Sequence, residues 1–529
     1  MKQKQKTRAR RGSILIIVLV VVAILALSGY TFSELMLMHY ESTIYSGRQV
    51  QSRALVSSGA DAARWFLTQN DEVRTDLGGI YDNPAVFQAQ LIAPDTDPRY
   101  MGTFSVLAPS LDSYGTAAGI RYGFEDESAR LNLNFLLLAD QFQENGGRTL
   151  LMALPGMTEE IADAILDWLD EDDDAREFGI EYDYYESLEP PYTPTNGPFR
   201  SVEELLLVRG VTPDLMFGMD TNRNGLLDAH ETAGGMAGQA APTGDPALGD
   251  TSRGWSPYLT LFGAEKNYNS LGFPRVMLNQ ADLELLYNEL LTAVDEEWAN
   301  FIVAYRLYGP YEGEEEGESA GGSPPDTTAQ PNTEIGQVLE LIGKKVQLPG
   351  DERTVLASPF PAELLAMNLY LPNLLDNCTV VTTPVIPGRI NINQAPSALI
   401  AGIPGMDEEL FNAIIDNRIT NPEEALENPN MGFETWLLTE GYLFNEEGEP
   451  DIARMQQLTP FMCGAGDVHR AQIIGYYQGG GAASRAEVVI DNTGLTPSIV
   501  FWRDLTHLGR GFTLEILGIN LSGQIGQTY

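Results

Sequence analysis

Twelve residues from Asp220 to Glu231 (Asp-Thr-Asn-Arg-Asn-Gly-Leu-Leu-Asp-Ala-His-Glu) place oxygen-bearing side chains at positions one, three, five, nine and twelve, with glycine at six. A loop of that spacing wraps a hard cation. Asp220, Asn222 and Asn224 offer side-chain oxygens, Gly225 permits the sharp turn, and Leu226 contributes its carbonyl. Asp228 binds directly or through water, and Glu231 binds with both oxygens. The predicted ligand is Ca2+; the competing reading is a solvated Asp/Asn turn. The Gly- and Pro-rich tract that follows, to Gly254, is a poor exiting helix, so an isolated loop is expected rather than a paired hand.

A second concentration of acid lies upstream. Nine carboxylates (Asp167, Asp170, Glu171, Asp172, Asp173, Asp174, Glu177, Glu181 and Asp183) fall within 17 residues. They repel one another unless solvated or neutralised by a cation, and oxygen ligands select Ca2+ over transition metals. Composition alone leaves a solvated acidic loop as an equal reading.

Catalytic patterns are missing. The four histidines (His39, His230, His469, His507) are scattered, and the chain has no Gly-x-Ser-x-Gly elbow, phosphate loop or His-Glu-x-x-His. The chain therefore reads as a non-enzyme. A signal-anchored periplasmic calcium-binding hydrolase is the alternative, and it requires a pocket with a perturbed carboxylate pair. With a net charge of −42, the chain lacks the phosphate-neutralising surface of a nucleic-acid binder. Its two cysteines, Cys378 and Cys463, either form one bridge or sit as buried free thiols.

The elements that carry these loops begin with a basic leader, residues 1–12, and an apolar stretch, residues 13–33, with no charged side chain. At about 1.5 Å per residue the stretch gives roughly 30 Å of helix, enough to cross a bilayer with the leader left in the cytoplasm. A secretory signal peptide and a plain signal anchor share these features. Gly12, set between the leader and the apolar run, resembles the class III leader of type IV pilins and type II secretion pseudopilins. That resemblance implies cleavage by prepilin peptidase between Gly12 and Ser13, with N-methylation of the new terminus. The fifth residue after the cut is Ile17, where most members carry Glu; within the family that departure points to the tip subunit.

Helical patterning continues to about residue 70. Leu37, Tyr40, Ile44, Val50, Leu55, Ala62, Trp65 and Phe66 predict the face docked on the chain's own domain. Strands are predicted at Phe104 to Leu107 and Gly119 to Phe124. Further strands at Ala471 to Tyr477, Ala486 to Ile490 and Gly511 to Leu517 are expected to complete the same sheet. Between them lies a repeat: Leu154-Pro-Gly-Met-Thr-Glu-Glu-Ile aligns without a gap on Ile403-Pro-Gly-Met-Asp-Glu-Glu-Leu. Each copy follows an apolar/Asn strand (Leu131 to Asn134, Ile390 to Asn393), and Val276 to Asn279 is a weaker third copy of that strand. Thr158 and Asp407 are candidate helix caps. The hairpins resemble the SAM-like helix-hairpin-helix class, but their acidic helices favour packing over DNA contact.

In order along the chain, Asp-Glu-x-x-x-Leu-Asn-Leu-Asn, Leu-Pro-Gly-Met, Asp-Trp-Leu-Asp-x-Asp, Pro-Pro-Tyr-x-Pro-x-Asn, Ser-Val-Glu-Glu-Leu and Ile-Asn-Ile-Asn-x-Ala-Pro are similar to the protein K minor pseudopilins of the general secretion pathway. The resemblance implies an α+β fold: a long transmembrane helix and a small α/β pseudopilin domain carrying a large inserted α-helical domain. On this chain the pseudopilin helix and first strands take residues 34–125, the insertion 126–460 and the closing strands 461–529. The insertion includes the EF-like loop 220–231 and a Glu-, Gly- and Pro-rich stretch, 309–332, expected to be disordered. The family further implies calcium in the acidic loop, with ligands drawn from Asp167, Asp170, Asp172, Asp173, Asp174, Glu181 and Asp183. It also implies a single inner-membrane pass with the bulk periplasmic, and minor pseudopilins of the I and J types as partners in capping and initiating the pseudopilus.

Overall fold

The computed structural model describes residues 13–112, 114–228, 231, 253–313, 315, 317–321, 324–349 and 354–519. The basic leader, Gly12, and the tract after Glu231 expected to lack an exiting helix lie outside them.

Helix α1 (Ser13–Leu67) runs unbroken for 55 residues, about 80 Å. Its apolar N-terminal part is exposed on every side and is long enough to cross a membrane. Farther along, the helix docks on a sheet through small residues. Ala60, Ala63 and Phe66 pack on Phe104, Ile473 and Val488, and a Cβ at Gly59 would fall 2.6 Å from Ile473. Large residues predicted for this face (Leu37, Tyr40, Val50, Trp65) are exposed instead, and Leu55 and Phe66 are buried. Close backbone approach, not bulk, selects the docking stripe.

The sheet is antiparallel and built from both ends of the chain. Strand β1 (Gln90–Ala93) pairs with β2 (Gly102–Leu111), whose far end also pairs with β3 (Ala117–Arg121). Strand β4 (Glu125–Asp126) leads out of the sheet. The chain returns as β5 (Val468–Tyr477), β6 (Ala483–Asp491) and β7 (Ser498–Asp504). The order is β1-β2-β5-β6-β7, and β4 pairs with β5. Gly511 to Leu517 forms turns rather than the predicted strand; Phe512 and Leu517 lie across Leu107, Ile474 and Tyr476 on the sheet's second face. Strand β7 was not expected from the sequence.

Between β4 and β5 the insertion contains three consecutive units, each closed by a parallel strand pair. Leu131 pairs with Leu259 in the first, Val276 with Cys378 in the second and Ile390 with Met462 in the third. Each unit has a helix capped by a side-chain oxygen: Thr158 accepts from Ile161 N at 3.4 Å, Asp295 from Trp298 N at 2.9 Å and Asp407 from Leu410 N at 2.8 Å. An asparagine after each first strand holds a later main-chain segment. Asn134 accepts from Phe199 N at 2.8 Å, Asn279 accepts from Ile335 N at 2.9 Å, and Asn393 donates to Met431 O at 2.9 Å. The first two units match further. Glu204 takes Trp168 Nε1 at 3.2 Å and Arg200 N at 3.0 Å, and Glu340 takes Tyr305 OH and Gly336 N, both at 2.8 Å. All three contribute to one continuous apolar core.

The stretch 309–332 is partly anchored, in contrast to the disorder its composition suggests. Ala320 is buried, its carbonyl accepts Asn300 Nδ2 at 3.0 Å, and Glu318 bridges to Leu356. Both cysteines are buried and free, held in separate strand pairs.

Candidate metal centres

The acidic run grows out of the capped helix Glu159–Leu169. Glu159 and Glu160 complement its N-terminal dipole, and Ala162, Ile165 and Trp168 bury one face. Asp163 and Asp167, four residues apart, are buried on the same helix, so each needs a counter-charge and donors. Asp163 receives both from Arg148, at 2.7 and 2.6 Å, and from Phe178 N at 3.1 Å. Asp167 accepts from Arg176 Nη1 at 2.8 Å and Ile180 N at 2.7 Å. Arg176 also pairs with Asp170 Oδ2. Burial works against this guanidinium, yet the two aspartates hold its pKa above the usual arginine value. A Cβ at Gly179 would sit 1.8 Å from Asp167 Oδ2, so the returning loop passes as close as a backbone can.

Beyond this pairing, a set of oxygens is left over. Asp170 Oδ1, both carboxylate oxygens of Glu181 and Asn196 Oδ1 are buried with no hydrogen-bond partner. Asn196 Nδ2 is turned the other way, to Asp172 O at 3.0 Å and Asp173 Oδ1 at 3.1 Å. Burial, followed by the charges of Asp167 and Asp170, pushes the Glu181 pKa up to about 7. Buried acceptors without donors call for a partner, and a set made only of oxygens fits Ca2+. Among the described residues no three His, Cys, Asp or Glu side chains converge at metal-holding distance, so such a site needs the Asn196 amide and main-chain carbonyls besides Asp170 and Glu181. Of the other ligands the resemblance implies, Asp167 is committed to Arg176 and Ile180, Asp172 Oδ1 accepts Asp174 N at 2.9 Å, and Asp174 and Asp183 are exposed. Sequence reasoning missed Asn196 and Arg176. The available signal was that Arg176 is the single cation between residues 167 and 183.

In the EF-like loop the predicted side chains bond to the loop's own amides, and Asp220, Asp228 and Glu231 do not come together at metal-holding distance. Asp220 accepts from Asn224 N at 3.1 Å and Gly225 N at 2.9 Å. Asp228 Oδ2 accepts the amides of Asn222 at 2.7 Å and Asn224 at 3.1 Å. Glu231 closes the ring, taking Thr221 N at 2.9 Å with one oxygen and Asp228 N at 3.0 Å with the other. Burial raises the Asp220 pKa; at Glu231 burial is outweighed by main-chain and Thr221 donors, and its pKa falls. Gly225 is in the left-handed region, φ 78°, as the sharp turn requires. The side-chain oxygens of Asn222 and Asn224 accept Asn224 N at 2.9 Å and Leu226 N at 2.7 Å, and the loop's donors to a cation are all oxygens.

Residues 129–219, the segment holding the capped helix, the acidic run and Asn196, match the family model described as type II secretion system (T2SS), protein K. No curated protein matches the chain. A chain of the crystal structure of the GspK-GspI-GspJ complex from the enterotoxigenic Escherichia coli type 2 secretion system is similar over 88% of this chain and 99% of that one, at 11% identity and a TM-score of 0.31, too low to equate the two folds element by element. The matched segment is that of a secretion-system component, which gives no support to the hydrolase alternative. Over residues 129–219 the chain is therefore similar to protein K of the type II secretion system.

Proposed function

We propose that the chain is anchored in the inner membrane by residues 13–33 with its bulk in the periplasm. In this reading it caps and initiates the pseudopilus together with minor pseudopilins of the I and J types, in support of protein export across the outer membrane. The protein K domain at 129–219 is the observation that carries the reading, and the apolar start of α1 supports the anchor. Prepilin peptidase cuts between Gly12 and Ser13, and Ser13 is N-methylated. The test is mass spectrometry of the mature terminus from cells carrying that peptidase. N-methylated Ser13 is expected; an intact leader, or cleavage near Ser28, sinks the anchor as described. Co-purification with the I- and J-type subunits tests the partnership.

Ca2+ binds in two places on this reading. In the acidic run, Asp170, Glu181 and Asn196 hold it; in the EF-like loop, Asp220, Asn222, Asn224, Asp228, Glu231 and the Leu226 carbonyl do. The ion supplies compact positive charge where carboxylates are buried together. Calorimetric titration of the full chain with Ca2+, repeated with Asp220→Ala and Glu181→Gln, tests each loop; heats unchanged by either substitution refute that loop's site.

A further inference from the structure

The EF-like loop does not stand free of the sheet. Its main-chain carbonyls face outward and are met by side chains from elsewhere: Gln472 of β5 donates to Arg223 O at 2.6 Å, Arg485 of β6 donates to Asn222 O, and Arg253 donates to Gly225 O at 3.2 Å. Asn224 Nδ2 reaches Gly511 O at 2.5 Å. The Arg485 guanidinium is buried, bonds Gln472 Oε1 at 3.2 Å and lies 5.8 Å from the Phe512 ring. A Cβ at Gly511 would fall 2.0 Å from Arg485 Nη1, and this glycine has φ 75°, so the segment seats here only as glycine.

Gly511 opens the segment that crosses the sheet's second face. Beyond it, Tyr122 OH donates to Ile516 O at 2.6 Å and Tyr476 OH to Leu517 O at 2.5 Å, above buried Leu107, Ile474 and Tyr476. One end of this cover is therefore fastened to the predicted cation loop and the other to the sheet.

We infer that the loop Asp220–Glu231 is a calcium-set clasp: ion binding fixes the outward carbonyls of residues 222 and 223 and the Asn224 amide, and through Arg485, Gln472 and Gly511 holds the segment 511–517 over the second face of the sheet. This rests on the reading of the loop as a Ca2+ site. Asn224 suits the coupling because its side chain touches both parts. Oδ1 accepts Leu226 N at 2.7 Å, and Nδ2 is shared between Asp228 Oδ2 in the loop, at 3.1 Å, and Gly511 O, at 2.5 Å. Without the ion, the loop loosens and the cover lifts. A mainly apolar face becomes open to a neighbouring subunit.

The test is hydrogen exchange, read by mass spectrometry, on the full chain in detergent, with calorimetry on the same samples. In wild type, saturating Ca2+ is expected to slow exchange of the 511–519 amides at least tenfold relative to chelator, with little change in β1. Asp220→Ala abolishes the difference and lowers the calcium stoichiometry by one. Arg485→Met leaves that stoichiometry intact but cuts the protection to under threefold; Gln472→Met serves the same purpose if Arg485→Met does not fold. Equal stoichiometry in wild type and Asp220→Ala means the loop is no calcium site, and both readings fall. Calcium bound at the loop with unchanged exchange at 511–519 overturns the clasp alone.

Discussion

Asp126 accepts a hydrogen bond from the main-chain N–H of Gly466 at 2.7 Å, which joins the point where the chain leaves the sheet to the point where it comes back. The same carboxylate takes Ser128 N at 2.8 Å and Asn391 Nδ2 at 2.7 Å. Three segments, of which one belongs to the third unit of the insertion, meet at a single buried side chain. Asp126→Ala leaves those donors unpaired, and the expected loss is about 2–4 kcal/mol of unfolding free energy. Denaturant titration measures it.

Burial pushes the Asp126 pKa up to about 7. A carboxyl whose pKa is raised on folding contributes stability that is fully present below its unfolded value and is lost as pH rises through its folded value. Between about pH 4 and 7 this residue therefore makes the protein less stable as pH increases. Asp126→Asn is expected to abolish that contribution, and melting curves across this range check it; an unchanged pH slope refutes it.

His469, the Cα partner of Asp126 across the β4–β5 pair, works in the opposite sense. Burial is the chief cause holding its pKa down to about 3. Its neutral form supports the fold above about pH 6.5, and that support is lost as pH falls toward 3. His469→Phe is expected to improve acid tolerance over this window, by on the order of a few kcal/mol if the ring is accommodated. Acid-unfolding midpoints decide the matter.

In the calcium site proposed for the acidic run, Glu181 ligates only as the carboxylate. With its pKa at about 7, calcium affinity at that proposed site is expected to fall steeply between pH 7.5 and 6. Glu181→Gln removes that pH dependence along with most of the affinity. On the proposed calcium binding, the ion at a hundred times Kd would stabilise the folded chain by about 2.7 kcal/mol, and chelation is expected to lower the melting temperature measurably. Calorimetry at three pH values in the Asp220→Ala background isolates this loop.

The helix caps provide a test of the repeat itself. Thr158→Ala, Asp295→Ala and Asp407→Ala each remove one N-terminal acceptor and are expected to cost about 1 kcal/mol apiece. Because the caps belong to separate units, the costs of paired substitutions are expected to add. Strong non-additivity in double-mutant cycles contradicts the division into units.

Much of this arrangement was readable in the sequence because local chemistry fixed it. The capped helices at Thr158 and Asp407 followed from a Pro-Gly turn, a capping oxygen and paired glutamates, and β2, β5 and β6 from β-branched runs. The second unit was recognised only by its strand, since Asp295-Glu-Glu-Trp lacks the Pro-Gly turn of its counterparts. Its Glu340 matches Glu204 only through hydrogen bonds to Tyr305 and Gly336. The docking stripe of α1 was misplaced because the helix uses glycine and alanine for close approach, which a search for bulky apolar spacing passes over. In the acidic run, spacing gave the cluster but not its division of labour. That Arg176 satisfies Asp167, while Glu181 and Asn196 keep unpartnered oxygens, depends on how the loop folds back.

The strand pairs that close each unit bring its two ends side by side, and the β4–β5 pair does the same for the whole insertion. Tension applied along α1 consequently passes into the sheet and across it without running through the insertion. The three units ride beside the load path rather than within it. A chain pushed or pulled along α1 then moves its sheet while the inserted surface keeps its shape.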